Sequence, residues 1–229
     1  MRALVLSGGV THDFPALAVE LTALLAENGT TADVREDVEE ALAQCDAYDL
    51  LVVNMLRWRM ETGSYAAQRD RWGLSLSPAA RSALTGFVHR GKGLLALHAA
   101  TICFDDWPQW MDLVGGRWVW GTSSHPPYGT FDVTVHPDRH AIVAEAPTSF
   151  RINDEAYGFL ELADDVVPLA TATHGGATHP LVWARTVGQG RVVHDALGHA
   201  AEGYQNPAHR AIVASAIRWL THPPQMETR

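Results

Sequence analysis

The sequence predicts an α/β fold with a mainly parallel central sheet and antiparallel strands added in the C-terminal half. Three observations carry this. The apolar stretches Arg2 to Leu6, Leu50 to Met55 and Leu94 to Leu97 are too short for helices and read as strands, the last buried on both faces. Helical patterns alternate with them, giving strand, helix, strand, helix, strand by Met55, the arrangement of parallel βαβ units. Beyond Gly115-Gly116 short alternating runs joined by glycine turns take over, and Val187-Gly188-Gln189-Gly190 is a hairpin signal.

Taken in order, the first strand meets Ser7-Gly8-Gly9, and Pro15 sits where the first turn of a helix tolerates proline. Leu17, Leu21, Leu24 and Leu25 share one face of that helix, which Asn28-Gly29 stops. Thr31 to Arg35 is a strand, Val38 to Cys45 a short helix and Leu50 to Met55 a strand. Residues 57–77 lack a period and read as a surface insertion or lid, in which Trp58, Arg59 and Trp72 suit either a sugar platform or the cover of a core face. Ser77 caps a helix over Pro78 to Arg90, which delivers the chain to the strand ending at His98. Trp107 to Leu113 is a short helix. Strands are expected at Arg117 to Trp120, Gly129 to Val135, Val166 to Thr173, Leu181 to Thr186 and Arg191 to Leu197, followed by a helix over Ala208 to Leu220. Residues 1–221 thus form one domain and 222–229 a frayed tail.

Composition excludes several classes. A formal charge of −9 without clustered Lys and Arg argues against nucleic acid. No stretch has the length of a signal peptide or membrane span, and two cysteines, Cys45 and Cys103, without CxxC spacing fit a reducing compartment, so a cytoplasmic protein is expected. The twelve His and eight Trp are the unusual feature. Trp107, Trp110, Trp118 and Trp120 are compatible with a homodimer face or with packing around Gly115-Gly116.

In open parallel sheets ligands bind beyond the carboxyl ends of the strands. His98 and His199 leave two such ends and are the expected catalytic residues, with Asp154 and Glu155 as carboxylate partners of which one faces the site. Gly8 and Gly9 could turn backbone N–H groups toward an anion or carbonyl, or serve only a tight turn. Ser7, Gly8, Gly9, His12, Tyr157, His179, Trp183 and Glu202 are the expected substrate-binding residues. Should a metal such as zinc be the cofactor, His98, His179 and His199 are its first candidate ligands. His125-Pro126, His136-Pro137 and His222-Pro223 read as turn positions, with His140 and His174 equally without a role, and His194 as a strand residue.

Several stretches together resemble the ThuA-like (trehalose-utilisation) family. They are Ser7-Gly8-Gly9 with His12, Gly91 to Ala100, Leu113-Val114-Gly115-Gly116 before His125-Pro126, Asn153 to Tyr157, His179 to Trp183, and Gly188 to Val193 leading to Ala196-Leu197-Gly198-His199. The resemblance implies the flavodoxin-like, three-layer fold of class I glutamine amidotransferases and a role in carbohydrate catabolism, near oxidoreductases that make 3-keto sugars. The elbow that holds a nucleophilic Cys in glutamine amidotransferases carries His98 here, with Cys103 reading as a core residue, so glutamine hydrolysis is not expected. The expected function is an enzyme acting on an oxidised (keto) sugar or glycoside by acid-base or metal-assisted chemistry, as isomerase, lyase or hydrolase. The alternative is a non-catalytic sugar- or partner-binding module.

Overall fold

Strands β1 (Arg2–Gly9), β2 (Thr31–Arg35), β3 (Leu50–Leu56) and β4 (Gly93–Leu97) alternate with helices α1 (Phe14–Glu27), α2 (Val38–Ala43), α3 (Arg69–Trp72) and α4 (Pro78–His89). This computed structural model describes residues 1–61 and 63–222. After α5 (Gln109–Val114) come β5 (Gly116–Arg117), β6 (Gly129–Val135), β7 (Ser149–Asp154), β8 (Glu161–Leu162), β9 (Pro168–His174), β10 (Ala177–Val187) and β11 (Gly190–Asp195), and α6 (Pro207–Thr221) follows. Nine strands form one sheet in the order β2-β1-β3-β4-β11-β10-β9-β6-β7. Neighbours from β2 to β11 are parallel, the flavodoxin-like 2-1-3-4-5 order with β11 as fifth strand, and those from β11 to β7 are antiparallel.

Strand alternation explains the three layers. Ala3, Val5, Val52, Leu95 and Leu97 pack with α1 and α6, whereas Leu4, Leu6, Val53, Leu94 and Ala96 pack with α2, α4 and α5. Both faces of the parallel half are therefore covered, which is why its strands read as unbroken apolar runs. Helix starts follow their caps: the side chains of Asp13, Asp37, Ser77 and Asn206 accept N–H bonds from the first turns of α1, α2, α4 and α6.

Two sequence expectations need correction here. The strand expected over Arg117 to Trp120 is reduced to Gly116–Arg117, paired with β8 in a separate two-stranded sheet, and the chain then turns with Trp118 and Trp120 toward a cavity. β7 was not expected at all. Its sequence, Ser-Phe-Arg-Ile-Asn-Asp, alternates polar and apolar residues at the open edge of the sheet, too briefly to stand out from a loop. Within 57–77, Gly63–Gln68 forms a 3-10 segment leading into α3. The tail expected to fray lies, apart from His222, outside the described residues. Among the described residues no helix is long and apolar enough to cross a membrane.

Candidate functional site

Imidazoles leave three neighbouring parts of the sheet at its carboxyl edge. β1 continues through Val10 and Thr11, whose φ of 65° reverses the chain and sets the His12 ring 5.0 Å from that of His98. β4 ends at His98, which has a φ of 43°. A non-glycine residue in this left-handed region stores roughly 1–3 kcal/mol of strain, which survives where surrounding contacts over-determine it. Here the contact is a 2.7 Å hydrogen bond between His98 Nδ1 and the carbonyl of Ala196, on the segment leaving β11. That segment passes Gly198, at φ 98°, and presents His199, whose ring lies 4.4 Å from His12 and 5.4 Å from His98.

The carboxylate comes from the opposite end of the sheet. Asp154 closes β7 and is almost completely buried. Its Oδ1 accepts hydrogen bonds from the N–H groups of Glu155 (2.8 Å) and His199 (3.1 Å), and its Oδ2 accepts one from Gly198 (2.8 Å). Asp154 is thus a bracket between β7 and the exit of β11, and Glu155 is the acid that faces the histidines. Its Oε2 lies 3.1 Å from His199 Nδ1 and 3.5 Å from His98 Nε2, while Oε1 lies 3.6 Å from His125 Nδ1.

These contacts set the charge states. Burial opposes ionisation of Glu155, but the adjacent His199 and His98 imidazoles outweigh it and hold its carboxyl well below the usual range. Burial likewise opposes protonation of His199, and Glu155 reverses the balance and raises its pKa. His12 has no such partner. Burial first and the proximity of His98 second push it down to about 3, so it stays neutral.

His12, Glu155 and His199 line the floor of a cavity of about 390 Å³, within the roughly 300–1,000 Å³ range of small-molecule sites, and His98 is buried beside them. Trp58, Tyr65, Trp118 and Trp120 wall it, and the rings of Trp58 and Trp120 lie 5.6 Å apart.

Residues 2–220 match the family described as ThuA, trehalose utilisation. The chain belongs to the ThuA family. Among solved structures, a ThuA-like protein from Parabacteroides merdae superposes with a TM-score of 0.78 at 19% identity, covering 97% of this chain and 90% of that one. A ThuA-like protein from Bacteroides uniformis gives 0.75 at 16%, covering 98% and 93%. A β-galactosidase from Rahnella gives 0.58 at 13%, covering 93% of this chain but 30% of the larger enzyme. At these identities the likenesses speak for the fold. No curated protein matches the sequence.

In this ThuA-family chain the structure brings His12, His98, Glu155 and His199 together and places Tyr157 beside them, its ring 4.5 Å from His98. Several other expected residues lie elsewhere. His179, a candidate ligand, has both ring nitrogens engaged, one accepting from Phe159 N–H at 3.3 Å and the other 3.2 Å from the carbonyl of His174. Trp183 is buried with its indole N–H donating to Val114 (2.7 Å), and it packs on Gly115-Gly116. Gly9 is required by the backbone of Leu56, which a Cβ would strike at 2.2 Å, and Gly8 lies under Trp72; both are paired with β3 inside the sheet. Ser7 is buried within β1 opposite Asn54. Glu202 accepts from Tyr128 O–H and from Asn153 (3.0 Å) and touches the site only through Tyr128, whose ring lies 5.0 Å from His199. Asp154 acts through the backbone, as a positioning residue.

Sequence reasoning passed over His125 as a turn residue, yet it lines the cavity beside Glu155. Only the aromatic run Trp118 to Trp120 before it hinted at a pocket. Cys103 is no nucleophile: it donates to the carbonyl of Met55 (3.2 Å), and burial pushes its thiol up to about 12.

Proposed function

We propose that the protein is an enzyme acting on an oxidised (keto) sugar or glycoside, shifting a proton at the carbon beside the carbonyl and so serving isomerisation or elimination. The observation that carries this is the set of imidazoles around the ionised Glu155 at the floor of an aromatic-walled cavity. Removing such a proton leaves an enediolate, whose oxygen needs positive charge or a proton. His199, whose pKa the neighbouring Glu155 raises, is positioned to supply both. His125, on the other oxygen of Glu155 and open to the cavity, is positioned to take the proton from carbon. Trp120, half-exposed in the cavity wall and backed by the buried Trp58, offers a face suited to a sugar ring, and membership of a family described as trehalose utilisation supports the substrate class. Two unpaired, buried thiols and the likeness to a cytoplasmic Salmonella protein (TM-score 0.65, 14% identity, covering 96% of this chain and 100% of that one) support a cytoplasmic location.

The test is proton exchange. Keto-disaccharides and keto-monosaccharides incubated with the protein in D2O should exchange the hydrogen beside the carbonyl, read by NMR, and Glu155→Gln should slow the exchange roughly 10²–10³-fold. Saturable sugar binding by calorimetry without exchange or turnover of any of them would instead favour a binding module.

A further inference from the structure

The nitrogens of the cluster are arranged in a way that proton transfer alone does not explain. A carbonyl oxygen only accepts hydrogen bonds, so the contacts of His98 Nδ1 with Ala196 (2.7 Å) and of His12 Nδ1 with Val10 (3.1 Å) place the ring hydrogens on those nitrogens. The Nε2 lone pairs of both rings are left pointing inward. Neither has a partner, and His199 Nδ1, although 3.1 Å from Glu155, is not aligned for a hydrogen bond. Three buried imidazole nitrogens and a carboxylate therefore converge, all within 4.8 Å of one another. Buried polar groups in proteins are nearly always satisfied, so the set lacks a component. One proton on His199 answers only one of the four donors.

We infer that this centre binds one divalent transition-metal ion of the zinc class, through His12 Nε2, His98 Nε2, His199 Nδ1 and Glu155. The inference deepens the proposed function and rests on it only for the use to which the metal is put. Zinc bonds of roughly 2.0–2.2 Å in a tetrahedron separate neighbouring ligand atoms by about 3.3–3.5 Å. The two edges at Glu155, 3.1 and 3.5 Å, lie within about 0.2 Å of that spacing, and no other edge, at most 4.8 Å long, must close by more than about 1.5 Å. Three imidazoles with one carboxylate suit zinc-class ions and disfavour magnesium or calcium, which prefer all-oxygen shells. The outer contacts to Ala196 and Val10 orient two ligands by fixing their tautomers, as is general at histidine metal sites.

An unpartnered imidazole alone would not carry this conclusion. His194 also has both nitrogens unpartnered, but it is sealed against Trp183, with ring centroids 4.2 Å apart, and does not belong to the converging set. What distinguishes the cluster is convergence on a carboxylate at a cavity floor. Held by these four residues, a cation would supply the positive charge facing a sugar carbonyl, and His125, outside the ligand set, would be the imidazole left to move protons.

The test is direct metal binding by the full chain, without substrate. Protein stripped with a chelator is titrated with Zn2+ against a chromophoric competitor, and with Co2+ while its visible absorption is recorded. One equivalent should bind with submicromolar affinity, the cobalt spectrum should show four- or five-coordination, and Zn2+ should raise the melting temperature. His98→Gln should weaken binding by at least 100-fold. If that variant does not fold, His12→Gln serves, with an expected loss of at least 10-fold. Stoichiometry below a tenth of an equivalent, or affinity unchanged in the folded variants, would overturn the site. Turnover of a keto sugar that survives complete metal removal would sink the metal's role and spare the enzyme, whereas tight metal binding without any turnover would do the reverse.

Discussion

Two histidine–carboxylate groups meet the chain near the end of β11, and they are finished differently. In the first, Asp195 Oδ2 accepts from His209 Nε2 (2.8 Å), His209 Nδ1 donates to the carbonyl of Gly203 (2.8 Å), and Asp195 Oδ1 accepts from Leu197 N–H (3.0 Å). Both ring nitrogens of His209 are satisfied inside the protein. A few residues on, His199 joins His12, His98 and Glu155 in a cluster whose inward nitrogens have no aligned partner. Both groups pair imidazole with carboxylate in a shielded place. The complete one ties α6 to the strand and turn that carry the site, whereas the incomplete one opens on a cavity and waits for something from outside the chain.

The comparison can be broken at either end. His209→Ala should have the largest effect, because it leaves the Asp195 carboxylate buried without its partner. About 3–5 kcal/mol of unfolding free energy should be lost in denaturant titration. Glu155→Gln should instead leave stability within about 1 kcal/mol of the parent while proton exchange on a keto sugar falls roughly 10²–10³-fold, measured at saturating substrate. If the two variants behaved alike, the distinction between a complete and an incomplete group would fail.

A pH series sharpens the same point. Burial pulls the His209 pKa down, yet the Asp195 charge and hydrogen bond dominate and raise it from 6.5 to about 9. A raised histidine stabilises fully below its unfolded value and loses that contribution as pH climbs through the folded one. Stability should therefore decline between pH 6.5 and 9, by roughly 3 kcal/mol at most, and His209→Ala should flatten that part of the profile. Asp154→Asn places an amide where Gly198 or His199 needs an acceptor and should cost about 2 kcal/mol, with a fall in sugar turnover as Glu155 loses its register. Trp120→Ala is expected to be mildest. This half-exposed cavity wall should leave melting unchanged and raise KM several-fold, equivalent to about 1 kcal/mol of sugar contact.

Legibility in the sequence followed the range of the interactions. The parallel half could be read because its strands are buried on both faces and a helix such as α4 begins at a local cap, Ser77. His98 and His199 could be placed at the carboxyl edge of the sheet because strand-end position is a local property, and the strand-end rule applies to every such sheet. β7 and the reduction of β5 escaped because edge strands draw on partners far away in the chain. The role of His179 was misjudged for a related reason. Its residue type suits a ligand, but a nearby loop, through Phe159 and His174, takes both of its nitrogens.

By itself, then, the sequence determined the layered fold and the edge at which the histidines emerge. Only the tertiary structure decided that Glu155 rather than Asp154 faces inward, that His12 and His125 join the centre, and that His179 and Trp183 do not. The physical reason is that alternation fixes which way neighbouring side chains point relative to each other, whereas convergence depends on where a folded sheet carries its far edge. Here the end of β7 meets the exit of β11, and two backbone N–H groups bonded to one buried aspartate hold them together.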